Sequence, residues 1–87
     1  MYYVSMIDKA FTRMFSGMLK GRLNRLVFEC ATLQEAETVV DNGDAREDMK
    51  NVAVHVKSPY FTPKRNVVQV KTREEYPNWY KPGWFRN

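Results

Sequence analysis

Thr32 and Glu35 stand in a T-x-x-E pattern just before an apolar repeat, and this pairing constrains the chain more than any other. The Thr hydroxyl can accept from the Glu35 amide while the Glu side chain reaches back to the Thr32 amide, a capping box. Leu33, Ala36, Val39 and Val40 then recur at helical spacing and form one apolar stripe. Gln34, Glu37, Thr38 and Asp41 fill the other side. Glu35 and Glu37 lie near the positive end of the helix dipole. Gly43 after Asn42 is a plausible left-handed stop, so the pattern predicts a helix over Thr32–Gly43 with a soft end near residue 44.

Strands flank this helix. Leu26, Phe28 and Cys30 share one face of the first, and Arg25, Val27 and Glu29 the other. In the second, Val52, Val54 and Val56 alternate with Ala53, His55 and Lys57. Alternation of period two, carried by β-branched residues, marks strands with a buried face. Leu33, Ala36, Val39, Val40, Phe28 and Val54 are therefore the expected core. The strand–helix–strand unit can form a crossover with another strand between its two strands.

Tyr2 to Asp8 reads as a further strand, apolar on both faces, which suits a central position. Lys9 to Arg22 carries Phe11, Met14, Phe15, Met18 and Leu19 at helical spacing, but Gly17 and Gly21 interrupt it. Both a short amphipathic helix and a loop packing its aromatics fit this basic segment. Ser58 to Arg65 is a turn bracketed by Pro59 and Pro63, with Tyr60 and Phe61 beside Lys64 and Arg65. Asn66 to Lys71 is a short strand expected to return antiparallel beside the Val52–Val56 strand. The tail gathers Tyr76, Trp79, Tyr80, Trp84 and Phe85 among Pro77, Pro82 and Gly83. It reads either as a strap closing the core or as an aromatic contact surface.

These elements fit one domain of 87 residues, long enough to bury roughly 60–65% of its unfolded surface. The expected layout is N-terminal strands and a basic segment over 1–31, the helix over 32–44, a β-hairpin over 51–71, and an aromatic strap over 72–87. The expected fold class is α+β: a three- to four-stranded, mainly antiparallel sheet with one helix on one face and room for a second short helix.

Charge is unevenly spread. Lys9, Arg13, Lys20, Arg22 and Arg25 face one carboxylate, Asp8, in the first 28 residues. Glu29, Glu35, Glu37, Asp41, Asp44, Glu47 and Asp48 then outnumber Arg46 and Lys50. Beyond residue 50 the cations dominate again. With the helix on one sheet face, such a chain is electrostatically two-sided, which favours oriented docking; the plainer alternative is an ordinary solvated surface.

Catalytic signatures are missing from the pattern. His55 and Cys30 are the sole residues of their types and fall on opposite strand phases, which argues against a nucleophile pair. Neither zinc-ligand spacing, a calcium loop nor a phosphate-binding glycine loop is present. The expectation is a non-enzyme without cofactor or metal. A lone cysteine fits a reducing compartment, and no apolar run approaches a membrane span, so a cytoplasmic protein without membrane association is expected.

The order strand, basic glycine-containing segment, Phe28-Glu29-Cys30, Glu35-Ala36-Glu37, Pro59-Tyr60, then Tyr76-Pro77 and Trp79-Tyr80-Lys81 resembles short uncharacterised proteins of bacteriophages and mobile elements. Small α+β proteins of that class include inhibitors of host defence, anti-CRISPR proteins among them. The resemblance implies an inhibitor acting in the host cytoplasm on a host protein or nucleoprotein complex. The candidate contacts are Arg13, Phe15, Lys20, Arg22, Tyr60, Lys64 and Arg65. A single-stranded DNA- or RNA-binding protein is the alternative, with Trp79, Trp84 or Tyr60 stacking on bases. A homo-oligomer sealed by the tail is a third possibility.

Overall fold

The computed structural model describes residues 1–9 and 21–84. Arg13, Phe15 and Lys20 lie outside the described residues, as does most of the 9–22 segment.

Four strands form one sheet: β1 (Tyr2–Asp8), β2 (Leu23–Cys30), β3 (Met49–His55) and β4 (Asn66–Lys71). Their spatial order is β3-β1-β2-β4. β1 pairs antiparallel with both β2 and β3, while β4 runs parallel to β2. Helix α1 (Leu33–Asp44) joins β2 to β3. The α+β fold class expected above is the one observed.

α1 begins as the capping box requires. Thr32 is the extended N-cap, and its Oγ1 accepts from the Glu35 amide at 3.1 Å. Glu35 Oε1 accepts from the Ala31 amide at 3.0 Å, one residue upstream of the expected partner. Ala36 and Val39 are fully buried and Val40 partly so, packing on Val4, Met6 and Phe28. Leu33 departs from expectation. At the first helical position it is 47% exposed and contributes little to the core. Gly43 also differs: the helix continues through it to Asp44 and ends at Ala45 in right-handed geometry. Its lack of a side chain serves packing, because a Cβ there would lie 2.9 Å from Met6 Cε and 3.3 Å from Val52 Cγ2.

The core lies between α1 and the sheet. Val4 and Met6 of β1, Leu26, Phe28 and Cys30 of β2, and Met49 of β3 supply its sheet side. Val54 lies on this face but remains exposed, because β3 is an edge strand and the helix does not cover its far end. The expected core position of Val54 is corrected accordingly. Between Ser5↔Ala53 and Ile7↔Lys50, β3 advances one residue more than β1, a bulge. Asn51 sits there at φ 56°. Asparagine tolerates this left-handed region better than most residues.

The largest correction concerns β4. A hairpin over 51–71 does not form; β3 and β4 occupy opposite edges of the sheet. β1 and β2 separate them, so the 56–65 connection must cross the whole sheet. Phe61 shows where. Its ring lies under the Arg25 guanidinium, 4.1 Å from Cζ to centroid, and edge-on to His55 at 6.4 Å. Arg25 and His55 both point away from α1, by strand alternation with Phe28 and Val54. The connection therefore crosses the face opposite the helix. Moving β2 to β3 over one face and β3 to β4 back over the other gives two crossovers of the same hand. Ser5, Ile7 and Val27 on this second face are buried, so β1 is covered on both sides.

Candidate interaction surface

The tail becomes part of the core. Thr72–Tyr76 leads into a 3₁₀ turn over Pro77–Tyr80, started by the proline that cannot continue a strand. Trp79 is 8% exposed and packs on Phe28, with ring centroids 4.7 Å apart. Tyr80 is equally buried, and its hydroxyl donates to the Glu29 carbonyl at 2.8 Å. Asn42, completely buried in α1, donates to the Trp79 and Lys81 carbonyls, each at 3.0 Å. Trp84 packs on Trp79 in a tilted arrangement with ring centroids 4.8 Å apart, and the Arg46 guanidinium lies over both indoles. Of the two tail residues proposed as contacts, Trp79 is thus sealed in the core and Trp84 is half-buried against it.

Arg46, Arg73 and Lys71 are engaged around this strap. Arg46 makes a two-pronged contact with Asp48, at 3.0 and 3.1 Å. The guanidinium beside it holds the Asp48 carboxyl below the usual carboxylate range. Arg73 pairs with Glu35. Lys71 donates to Gln69 and to the Tyr76 hydroxyl, above the Tyr76 ring. Glu37, Asp41, Asp44 and Glu47 remain on the solvent side of the helix region.

The crossover side is different. Thr62–Arg65 makes a tight turn in which the Thr62 carbonyl accepts from the Arg65 and Asn66 amides at 3.1 and 3.0 Å. Asn66 Nδ2 donates to the same oxygen, and Asn66 Oδ1 accepts from Arg25 Nε at 2.6 Å. The Arg65 carbonyl accepts from the Leu23 amide at 2.9 Å, while Arg22 reaches the Pro63 carbonyl at 3.4 Å. These bonds bring Arg22, Lys64 and Arg65 together where β2 and β4 begin. Lys64 and Arg65 are exposed, and Lys57 is exposed on the same connection. The two aromatics of the turn divide the labour: Phe61 anchors the crossover, and Tyr60 is left 81% exposed. Of the nine proposed contacts, four are gathered on this side: Arg22, Tyr60, Lys64 and Arg65.

Sequence reasoning missed one contact. His55 Nε2 and Ser5 Oγ are 2.8 Å apart, whereas His55 reads from the sequence as an ordinary surface residue. The pairing depends on β1 lying beside β3, which local pattern does not reveal. A hydroxyl–imidazole pair can in principle form a nucleophile. Ser5, however, is only 2% exposed, and among the described residues no carboxylate orients the other ring nitrogen. The pair ties β1 to β3 beneath Phe61. Cys30 lies on the opposite face, fully buried, and burial pushes its thiol up to about 11.

Shallow concavities among the described residues include one of about 290 Å³ between Glu29, Glu35 and Arg73 and one of about 180 Å³ beside Tyr76, Trp79 and Trp84. The first is at the lower end of the usual size of a small-molecule site and the second below it. Among the described residues no group of three or more His, Cys, Asp or Glu side chains is arranged to hold a metal ion. Among them no helix is long and apolar enough to cross a membrane. Comparison with protein-family models, with curated proteins and with solved structures gave no match.

Proposed function

We propose that the protein is a non-enzymatic inhibitor of the kind bacteriophages direct at host defence, anti-CRISPR proteins included. It docks through its crossover side on a host protein or nucleoprotein complex in the host cytoplasm and blocks it sterically and electrostatically. One observation carries this reading: Arg22, Lys64 and Arg65 lie where β2 and β4 begin, at the end of the connection that carries exposed Tyr60 across the face opposite the helix. Aromatic residues and arginine are the types most enriched at interface hot spots. The cations draw the complementary acidic surface in and set its orientation. With Trp79 buried, single-stranded nucleic-acid binding retains Tyr60 and half-buried Trp84 as stacking groups. Tyr60 beside Lys64 and Arg65 keeps that second reading in play.

Capture from bacterial lysate, with and without nuclease, distinguishes the two. The wild-type chain is expected to retain a discrete protein partner after nuclease treatment. The triple variant Tyr60→Ala/Lys64→Glu/Arg65→Glu is expected to lose it by at least about thirtyfold, the equivalent of one hot-spot side chain. Retention that vanishes with nuclease supports the nucleic-acid reading instead. Equal retention by wild type and variant overturns both assignments to the crossover side.

A further inference from the structure

The two edges of the sheet are not equivalent. β3 is interrupted by the Asn51 bulge, a device that blunts an edge against further pairing. β4 has no such interruption: its six residues pair with β2 in one continuous parallel register. It contains neither proline nor an inward-pointing carboxylate. Because the Arg65 carbonyl is bonded to Leu23 on β2, alternation turns the backbone groups of residues 67 and 69 toward β2 as well. Val68 and Val70 therefore present both N–H and C=O to the free edge, and among the described residues nothing bonds to them there. Their side chains, 40% and 54% exposed, stand on the crossover face. A backbone ladder and two β-branched side chains are thus offered together.

We propose that this edge takes up an extended, acidic segment of a partner protein as an additional strand. Recognition of this kind draws affinity from main-chain hydrogen bonds and specificity from alternate side chains. Charge selects the occupant. Lys64 and Arg65 are exposed at the start of β4, and Lys71, whose partners Gln69 and Tyr76 carry no charge, stands at its end. A second copy of β4 would set these cations against their like in either strand direction, which disfavours self-pairing. β3 of another copy, with the sequence MKNVAVH, brings no carboxylate. A partner strand alternating β-branched residues with Asp or Glu satisfies both the ladder and the flanking charges. This inference rests on the crossover side being the docking side, and it names the chemistry that side selects.

The test is selection of a displayed library of random extended peptides on the folded protein. The consensus peptide is then titrated while amide exchange is followed by NMR. The expected consensus alternates acidic and β-branched residues, and it slows exchange of the Val68 and Val70 amides. Val68→Pro removes one outward N–H at an edge position where proline is tolerated, and is expected to weaken the peptide by about tenfold. Val70→Glu keeps the N–H but adds repulsion, and is expected to weaken it similarly. A neutral or basic consensus, no enrichment, or affinity unchanged in both folded variants overturns the edge-strand assignment. Enrichment of acidic peptides that bind both variants normally but fail on Lys64→Glu/Arg65→Glu overturns it too, while leaving the docking side intact. A consensus bound unchanged by every variant removes both.

Discussion

Gly43 shows how much one side chain, or its absence, decides at the residue scale. It lets α1 approach β1 and β3, with Met6 and Val52 filling the space a Cβ would need. Alanine there gains about 1 kcal/mol of helix propensity and meets the flexible end of Met6 first. Gly43→Ala is therefore expected to change stability by less than about 1 kcal/mol in urea denaturation. Gly43→Val also presses on the stiff Val52 and is expected to cost about 1–3 kcal/mol. Cys30 carries a second residue-scale consequence. Its thiol ordinarily titrates at 9.0 and in the fold at about 11, chiefly through burial and then through Glu35. The folded chain holds this proton more tightly than the unfolded one, so its contribution is intact below pH 9 and is lost between about 9 and 11. Tyr80 is shifted upward from 10.0 by burial and adds in the same direction at higher pH. Thermal unfolding followed across this range should show stability falling, and Cys30→Ala should make the fall shallower.

The elements differ in how far they can be read locally. The capping box, the burial of Ala36 and Val39, and the inward Phe28 and Cys30 all follow from spacing within a dozen residues. Leu33 could not be placed that way, since at the first turn its direction depends on how far the sheet extends beneath it. Local pattern misplaces β4, because a proline turn between two valine-rich strands looks like a hairpin and only the non-local pairing with β2 excludes one. The tail was ambiguous for the same reason: its role depends on Asn42, 37 residues before Trp79. That contact is testable. Asn42→Ala removes both bonds to the strap; the Trp79 carbonyl loses its partner while the Lys81 carbonyl keeps the Trp84 amide, at a cost of about 1–3 kcal/mol. Tryptophan emission should shift red and acrylamide quenching should rise; unchanged quenching would show that Asn42 does not hold the strap.

The molecule as a whole has two unlike sides. On one, α1 and the aromatic strap close the core, and Arg46, Arg73 and Lys71 are engaged by groups of the strap or the helix region. On the other, the crossover carries Lys57, Tyr60, Lys64 and Arg65 to the surface and ends at an open sheet edge. The two-sidedness expected from charge is carried by the helix and the crossover; in the tail Arg73 and Lys81 balance Glu74 and Glu75, and Arg73 pairs with Glu35. The proposed docking uses the crossover side. Hydrogen exchange of the chain alone and in its captured complex tests that assignment most directly. Protection confined to residues 56–71 is the predicted result. Protection of α1 or of the 72–84 strap, with 56–71 unchanged, would contradict it.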